Sequence, residues 1–275
     1  MAVAELDNKV YVLGGFTRET VSSTRNQVYD PATDTWRELA PMPRGLNHIG
    51  VVGYNDMLYI VGGFTGGDGG PVADVYAYDI ATDTWQNLAP LPAARGSVAV
   101  TELGGSIHAI GGRGSTDADV STHEAYDPET NSWAELAPLP TARDHMPAVV
   151  LDGRIHVVGG RFQSPENNTG VHEVYDPATD SWRELAPLPT PRSGTAGATL
   201  GGRVLILGGE NNTGVFNENE AYDPTTDSWT ELTPLPTPRH GFGAATVGNA
   251  VYLPGGAPIA GGEQQSSTLE IFTSS

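Results

Sequence analysis

Arginines recur at a fixed place along the chain and are the residues best suited to hold a ligand. Four of them stand 16 residues before a Gly-Gly pair, a fifth has two extra residues in that interval, and two more follow a Gly-Gly pair directly. A guanidinium is planar, always charged and able to grip a carboxylate through two parallel hydrogen bonds. The series predicts a site for an anionic partner, either an acidic peptide or a small carboxylate. Its members are Arg95, Arg143, Arg192, Arg239, Arg44, Arg113 and Arg161.

Three histidines lie close to these arginines in the sequence. Imidazole titrates near neutral pH, so we add His48, His145 and His240 to the candidate ligand-binding residues. We predict no catalytic residue, metal site or cofactor, because the chain has no nucleophile elbow, phosphate loop, HExxH segment or calcium-loop spacing. The other histidines fall within predicted strands and are interpreted as packing residues: His108, His123, His156 and His172.

Charge and composition exclude several classes of function. Thirty-three acidic side chains against fourteen basic ones give a net charge of −19, which repels phosphate and argues against nucleic-acid or anionic-membrane binding. No apolar run approaches the ~18 residues of a membrane span, and the first residues lack the pattern of a secretory signal. With no cysteine, disulfides, thiolate metal sites and a cysteine nucleophile are excluded, while the cellular compartment stays open.

A repeat of about 50 residues organises the whole chain. Six Gly-Gly pairs, from Gly14 to Gly256, recur every 47 to 49 residues, and five tryptophans from Trp36 to Trp229 keep the same period. Nothing else in the chain is distinct enough to form a second domain. We therefore predict one domain of six units with the approximate boundaries 1–47, 48–96, 97–144, 145–193, 194–240 and 241–275.

Each unit reads as four short strands. The first is rich in small residues, the second is an apolar run such as KVYVLGG, the third carries Tyr-Asp and the fourth carries Trp. Turns such as YDPATDTW place Pro at the second turn position, with an Asp before it that can cap backbone N–H groups. We predict that the first strands crowd around a central axis and that the tryptophans lie in the core between sheets. A repeated glutamate of the third strand is interpreted as architectural: Glu124, Glu173, Glu220 and Glu270.

A diglycine, then Tyr-Asp, then Trp about six residues later, at this period, resembles the kelch repeat. The resemblance covers essentially the whole chain and implies an all-β, six-bladed β-propeller with four-stranded blades. In kelch adaptor domains, arginines at the matching positions line the mouth of the central channel and hold acidic peptides. The resemblance thus implies a rigid binding scaffold with an Arg-rich channel face, whose second-to-third-strand loops set specificity.

The same residues allow other interpretations. The arginines before the diglycines could instead bond to strand-end carbonyls or pair with acids, tying the repeats together. Some bacterial kelch proteins interconvert the anomers of sialic acid, so a sugar-acid enzyme is an alternative function. Because the units are close copies, an amplified or designed propeller without a natural ligand is a further alternative.

The last repeat ends after its third strand. We therefore expect the sixth blade to lack its outer strand and to present an open edge at Leu269–Thr273, where another chain could pair. Self-association through this edge is the second partner prediction. A fragment or an engineered form would explain the same ends.

Overall fold

Short apolar runs separated by turn residues fold into six antiparallel sheets arranged as the blades of a propeller. The computed structural model describes residues 1–17, 21–66, 69–261 and 264–273. Strands pair in chain order within each blade, and the first five blades have four strands each. The predicted all-β, six-bladed propeller is confirmed, and within the described residues the only helix is a short 3-10 turn at Pro165–Asn167.

Blades 1 to 3 repeat one pattern in which each strand has four or five residues. A short extra pair lies beside blade 3. The strands are β1 (Ala2–Leu6), β2 (Lys9–Leu13), β3 (Asn26–Asp30) and β4 (Thr35–Glu38) in blade 1, β5 (Gly50–Tyr54), β6 (Met57–Val61), β7 (Val75–Asp79) and β8 (Thr84–Asn87) in blade 2, and β10 (Ala99–Leu103), β11 (Ser106–Ile110), β13 (His123–Asp127) and β14 (Ser132–Glu135) in blade 3, with the extra pair β9 (Arg95–Gly96) and β12 (Arg113–Gly114).

Blades 4 and 5 continue the pattern, whereas the described residues of blade 6 form three strands. This agrees with the expectation that the outer strand is lacking there. The strands are β15 (Ala148–Leu151), β16 (Arg154–Val158), β17 (His172–Asp176) and β18 (Ser181–Glu184) in blade 4, β19 (Ala196–Leu200), β20 (Arg203–Leu207), β23 (Asn219–Asp223) and β24 (Ser228–Glu231) in blade 5 with the extra pair β21 (Glu210–Asn211) and β22 (Gly214–Val215), and β25 (Ala245–Val247), β26 (Ala250–Pro254) and β27 (Leu269–Thr273) in blade 6.

Small residues let the first strands of all blades meet around a central channel, as predicted. A Cβ atom on Gly50 would lie 2.1 Å from Cγ2 of Val100 on the next blade, so no larger residue fits there. The first strands line a cavity of about 460 Å³ along this axis. The second strands carry the buried core, with residues such as Val10 and Ile107 fully covered.

Neighbouring blades are joined by a two-point contact that we call the clip. The alanine after the fourth strand of blades 1 to 4 donates its backbone N–H to an Asp or Asn of the next blade, and its carbonyl accepts the indole N–H of the tryptophan there. Between blades 3 and 4, Ala137 N lies 2.9 Å from Asp180 Oδ1, and Trp182 Nε1 lies 2.8 Å from Ala137 O. The other clips join Ala40 to Asp83 and Trp85, Ala89 to Asn131 and Trp133, and Ala186 to Asp227 and Trp229.

Placing all five tryptophans in the core was wrong for one of them. Each tryptophan stacks on the tyrosine opposite it in the third strand, as Trp182 does on Tyr175 with ring centroids 5.2 Å apart. The four tryptophans that take part in clips are half-buried. Trp36 is 43% exposed, because no described residue of blade 6 covers it.

Candidate functional site

Four of the predicted ligand-binding arginines are buried in the blades and form ion pairs there. Arg143 donates from Nε to Gly159 O at 2.8 Å, from Nη1 to Thr141 O at 2.8 Å and from Nη2 to Val157 O at 3.1 Å, and it pairs with Glu173. These contacts fix the segment before a blade to the second and third strands of that blade. The four pairs are Arg95 with Glu124, Arg143 with Glu173, Arg192 with Glu220 and Arg239 with Glu270.

Burial and pairing of these guanidiniums favour the interpretation that they tie the repeats together. The side chains of Arg143 and Arg192 have no exposed area, and those of Arg95 and Arg239 have 1%. Each is already matched by a carboxylate and by strand-end carbonyls, which are the partners that a ligand would have to replace. That these four arginines contact a ligand stays a prediction.

Two further arginines are placed near the surface. Arg44 pairs with Asp74 at 3.0 Å and keeps 48% of its side chain exposed, while Arg113 pairs with Asp117 at 2.5 Å. Neither lines the cavity described next. The exposed pair of Arg44 and Asp74 contributes little to stability.

A cavity of about 680 Å³ opens at the mouth of the central channel, on the face of the second-to-third-strand loops. It includes Arg161 and all three predicted histidines. Each blade offers a position to this mouth just before its first strand, and blades 1, 4, 5 and 6 offer a second just after the diglycine. The residues there differ from blade to blade, unlike those of the framework: Asn47, His48, Ser97, His145, Arg161, Gly194, Glu210, His240, Gly241 and Ala257 line the cavity.

Arg161 is the centre of a buried polar cluster in this mouth. Its Nη1 lies 3.0 Å from Glu210 Oε1, its Nη2 lies 3.0 Å from His145 Nε2, and its Nε lies 3.4 Å from Asp144 Oδ1. His145 Nδ1 lies 2.9 Å from Asp144 Oδ1, so both ring nitrogens are occupied. His240 joins through Nδ1, 3.2 Å from Glu210 Oε2. One guanidinium therefore faces two carboxylates.

His48 is placed against this cluster and keeps one nitrogen open. Its ring lies 4.9 Å from that of His145 and makes edge contacts with Phe16 and Phe64. Nδ1 is 2.5 Å from Asn47 Oδ1, while Nε2 has no hydrogen-bond partner in the described part of the chain. Burial, and then the charge of neighbouring His145, lowers the pKa of His48 well below its usual value. The ring is neutral at pH 7, and Nε2 is an acceptor facing the cavity.

Backbone conformation marks the innermost row of the mouth. His48, Ser97 and His145 adopt φ angles of 49°, 52° and 54°, the left-handed region that Gly194 and Gly241 occupy in blades 5 and 6. Hydrogen bonds run around the mouth between these residues, including Ser97 N to His48 O at 2.9 Å and Gly194 N to His145 O at 3.0 Å. A side chain held in this conformation is costly, and such positions concentrate at functional sites.

Only some residues of this cluster could be predicted from the sequence. Glu210 occupies the position of Arg161 in the next repeat and Asn47 precedes His48, but neither belongs to the predicted arginine series. Both residues differ from those at the same positions of the other repeats, and this difference is the signal by which the sequence could have indicated them. Among the described residues, no group of three or more His, Asp or Glu side chains could hold a metal ion. No helix in those ranges is long and apolar enough to cross a membrane.

Two of the loops noted in the sequence lie partly outside the described residues. The first blade's second-to-third-strand loop, predicted to set specificity, includes residues 18–20, and the corresponding loop of the second blade includes residues 67–68. The loops of blades 4 and 5 are described. They bring Asn168 and Glu210 together, with Asn168 Nδ2 donating to the Glu210 carbonyl at 2.6 Å.

Comparison with known proteins gives the same architecture. The model of the KLHDC2/KLHL20/DRC7 Kelch-repeats domain matches residues 1–139 and 89–256. Kelch-like protein 23 of Pongo abelii is 39% identical over 59 residues, 22% of this chain and 10% of that protein. Kelch-like protein terF of Aspergillus terreus is 39% identical over 71 residues, 23% and 15% of the two chains. This chain thus spans a small part of the curated relatives that it matches.

A solved structure extends the comparison to the full length. The protein in "Structure of YjhT" aligns with a TM-score of 0.87 over 99% of this chain and 94% of that one, at 17% sequence identity. At this identity the likeness concerns the fold alone.

Proposed function

Because this chain belongs to the kelch-repeat family, we propose that it is a rigid binding scaffold that holds its partner at the mouth of the central channel. The propeller supplies a fixed frame, and the loops and blade edges at the mouth supply recognition. A cavity of about 680 Å³ is large enough to take a small ligand or several side chains of a partner protein.

The observation that supports this proposal is the location of the residues that differ from one repeat to the next. Framework positions such as the clip and the Arg–Glu pairs recur in four blades, and each recurrence has a packing reason. The residues that break the repeat gather at the channel mouth, including His48, His145, Arg161 and Glu210. Keeping His48 and His145 in a conformation that favours glycine costs stability, and contact with a partner is a function that would retain them.

The chemistry of the mouth favours an uncharged polar group on the partner. The Arg161 charge is already met by Asp144 and Glu210, so an added carboxylate would be repelled by both. His48 Nε2 is an unoccupied acceptor between two phenylalanine rings. A hydroxyl or amide N–H carried on a flat apolar group matches that arrangement.

The other functions suggested by the sequence stay predictions. An anionic partner finds support only in Arg161, since the arginines in framework positions are paired inside the blades. For a sugar-acid enzyme, His145 has both nitrogens engaged, and the group free to move a proton would be His48 through Nε2. A propeller without a natural ligand leaves the irregular mouth unexplained.

A thermal-shift screen tests the proposal. We would compare amides, polyols and neutral sugars with carboxylates and sialic acid, at low and moderate salt, because a ligand of the folded state raises the melting temperature. We expect shifts with neutral ligands, independent of salt and lost in His48→Asn, which tolerates the left-handed backbone. Arg44→Gln changes a side chain that does not line the cavity, so this control should keep the shifts.

Two outcomes would overturn it. Salt-sensitive shifts with carboxylates alone, lost in Arg161→Gln, would establish the anionic partner instead. Shifts that survive both His48→Asn and Arg161→Gln would move the site away from the channel mouth.

A further inference from the structure

The second-to-third-strand loop of blade 6 differs in sequence from the corresponding loops at a position that usually fixes the loop. In blades 1 to 4, the second residue after the diglycine donates its backbone N–H across its own loop, as Thr17 does to the Val21 carbonyl at 2.9 Å. In blade 5 this part of the loop is the hairpin of β21 and β22. Blade 6 has Pro258 at the same position. Because proline has no N–H to donate, this loop needs another contact to hold it.

A histidine side chain supplies that contact to residues 257–261, which we call the strap. The Nε2 atom of His240 lies 2.9 Å from the carbonyl oxygen of Ile259 and 2.9 Å from that of Gly261. Two backbone hydrogen bonds between His240 and Ala257 anchor the start of the strap. Ile259 is 41% exposed, so little apolar packing holds the far end. The strap therefore depends on the imidazole of His240.

The other ring nitrogen of His240 meets a carboxylate. Its Nδ1 lies 3.2 Å from Glu210 Oε2, and the same oxygen accepts the N–H of Gly261 at 3.3 Å. Both ring nitrogens thus face oxygen atoms that can only accept hydrogen bonds. A neutral imidazole has a single N–H and would present a lone pair to one of these oxygens, whereas the charged ring donates from both nitrogens. The arrangement therefore fits the protonated ring.

The charged groups around His240 come from three other blades. Among the described residues, Glu210 of blade 5 is the one carboxylate that contacts the ring, and its Oε1 lies 3.0 Å from Arg161 Nη1 of blade 4. The amino group of Met1 in blade 1 donates to the backbone carbonyl next to this histidine at 3.3 Å, and burial lowers the pKa of that amino group to about 6. His48 of blade 2 is neutral, because burial lowers its pKa. Glu210 is therefore the group that stabilises a positive charge on the ring.

From these contacts we propose that His240 is a proton-operated latch, whose charged ring holds the strap against the channel mouth and whose neutral ring releases it. Loss of one proton leaves either the Glu210 carboxylate or the strap carbonyls without a donor. Ala257 and Gly261 line the mouth cavity, so release frees one wall of it. A partner is then expected to enter the mouth faster as the pH rises. This consequence for access rests on the proposed function, whereas the latch itself does not.

Amide hydrogen exchange of the intact chain, measured by mass spectrometry without any ligand, tests the latch. Peptides that cover the strap would be followed from about pH 5 to about pH 8, the range in which histidines titrate, with rates corrected for the intrinsic effect of pH on exchange. We expect the strap to lose protection by roughly 10-fold or more as the pH rises, as for the loss of one hydrogen bond to a charged group. His240→Gln cannot gain a proton, so its strap should exchange fast over the whole range.

Glu210→Gln is the second variant and removes the carboxylate that stabilises the charged ring. The loss of protection should then occur at lower pH than in the unchanged chain, because the ring gives up its proton more easily. This shift tests the latch even if His240→Gln does not fold.

His48→Asn is the matched control, because it removes another imidazole of the mouth and should leave the pH dependence of the strap unchanged. Equal protection of the strap at both ends of the pH range would overturn the latch. So would a pH dependence that persists in His240→Gln, because His145 or the Met1 amino group would then be the titrating group. Since no ligand is present, these results do not depend on the thermal-shift screen, and failure of the latch is distinguishable from failure of the binding proposal.

Discussion

At the scale of single residues, the arginines that precede the diglycines have two different environments in this chain. Arg143 and Arg44 stand at related points of their repeats, yet Arg143 is fully buried against Glu173 and Arg44 is half-exposed beside Asp74. The difference lies in the third strand, where Tyr76 of blade 2 replaces the glutamate found in blades 3 to 6. Where the glutamate is present, the arginine belongs to the framework.

Arg143→Ala is therefore expected to lower the free energy of unfolding by about 3–5 kcal/mol, because it leaves the Glu173 carboxylate buried without a counter-ion. Denaturant titration measures the change. The matched control Arg44→Ala should cost less than about 1 kcal/mol, as for other exposed pairs. If Arg143→Ala were as mild as Arg44→Ala, the framework role of the buried arginines would be refuted.

At the scale of strands, two blades use a pair of imidazoles where blade 1 uses tyrosine and asparagine. His108 of β11 bonds to His123 of β13, and His156 of β16 bonds to His172 of β17, each from Nδ1 to Nε2 at 2.9 Å. His123 and His172 each also bond to an alanine carbonyl through Nδ1. Burial lowers the pKa of His108, His123 and His156 to about 4 and that of His172 to about 3.

These pairs make stability depend on pH. Because each folded-state pKa lies below the ordinary value of about 6.5, the unfolded chain binds more protons between those values. Stability contributed by the neutral rings is complete above about pH 6.5 and is lost as the pH falls towards 4, with a slope of up to about 1.4 kcal/mol per pH unit for each ring.

Denaturant titrations from pH 7 to 4.5 measure this slope, and the double variant His108→Tyr, His123→Asn supplies the comparison. It gives blade 3 the residues that blade 1 has at Tyr11 and Asn26. We expect a shallower loss of stability in acid for the double variant. Parallel curves for the two proteins would contradict the assignment of the buried rings as the titrating groups.

At the scale of the whole molecule, the clips decide how firmly one blade holds the next. Trp182 bonds to the Ala137 carbonyl of the preceding blade, whereas Trp36 has no such partner in the described residues. Trp182→Phe is expected to lower the free energy of unfolding by roughly 0.5–1.5 kcal/mol more than Trp36→Phe, because only the first change breaks a hydrogen bond. Equal losses in thermal or denaturant unfolding would show that the indole N–H contributes nothing to the junction.

The repeat explains why the blades could be predicted from the sequence and the mouth only in part. Strand content and blade number follow from the spacing of residues within each repeat. Six repeats show this spacing independently, from Gly14 to Gly256. The partner of Arg143 is 30 residues away, on β17, and only the joint recurrence of Arg and Glu in the same repeats signals the pair. Glu210 and His48 meet near Arg161 because the ring closes, and single-repeat patterns carry no sign of that.

Trp36 shows that a sequence pattern shared by all repeats does not always predict the burial of a side chain. Its sequence context matches that of the other four tryptophans, so the pattern predicts burial for all five. Burial depends on what the preceding blade brings against the ring, and that contact belongs to a different repeat. Closely similar local sequences therefore produced four half-buried side chains and an exposed one.

Every clip points the same way, from the backbone of one blade to the side chains of the next, so the four clips join blades 1 to 5 into a continuous arc. Among the described residues, blade 6 takes part in no clip and is joined to blade 1 by packing such as that of Val10 and Tyr29 against Ala245. A pulling force, or a partner wedged into the channel, would widen the circle by moving that blade first and would leave the arc unbent. The position of blade 6 then sets the diameter of the channel.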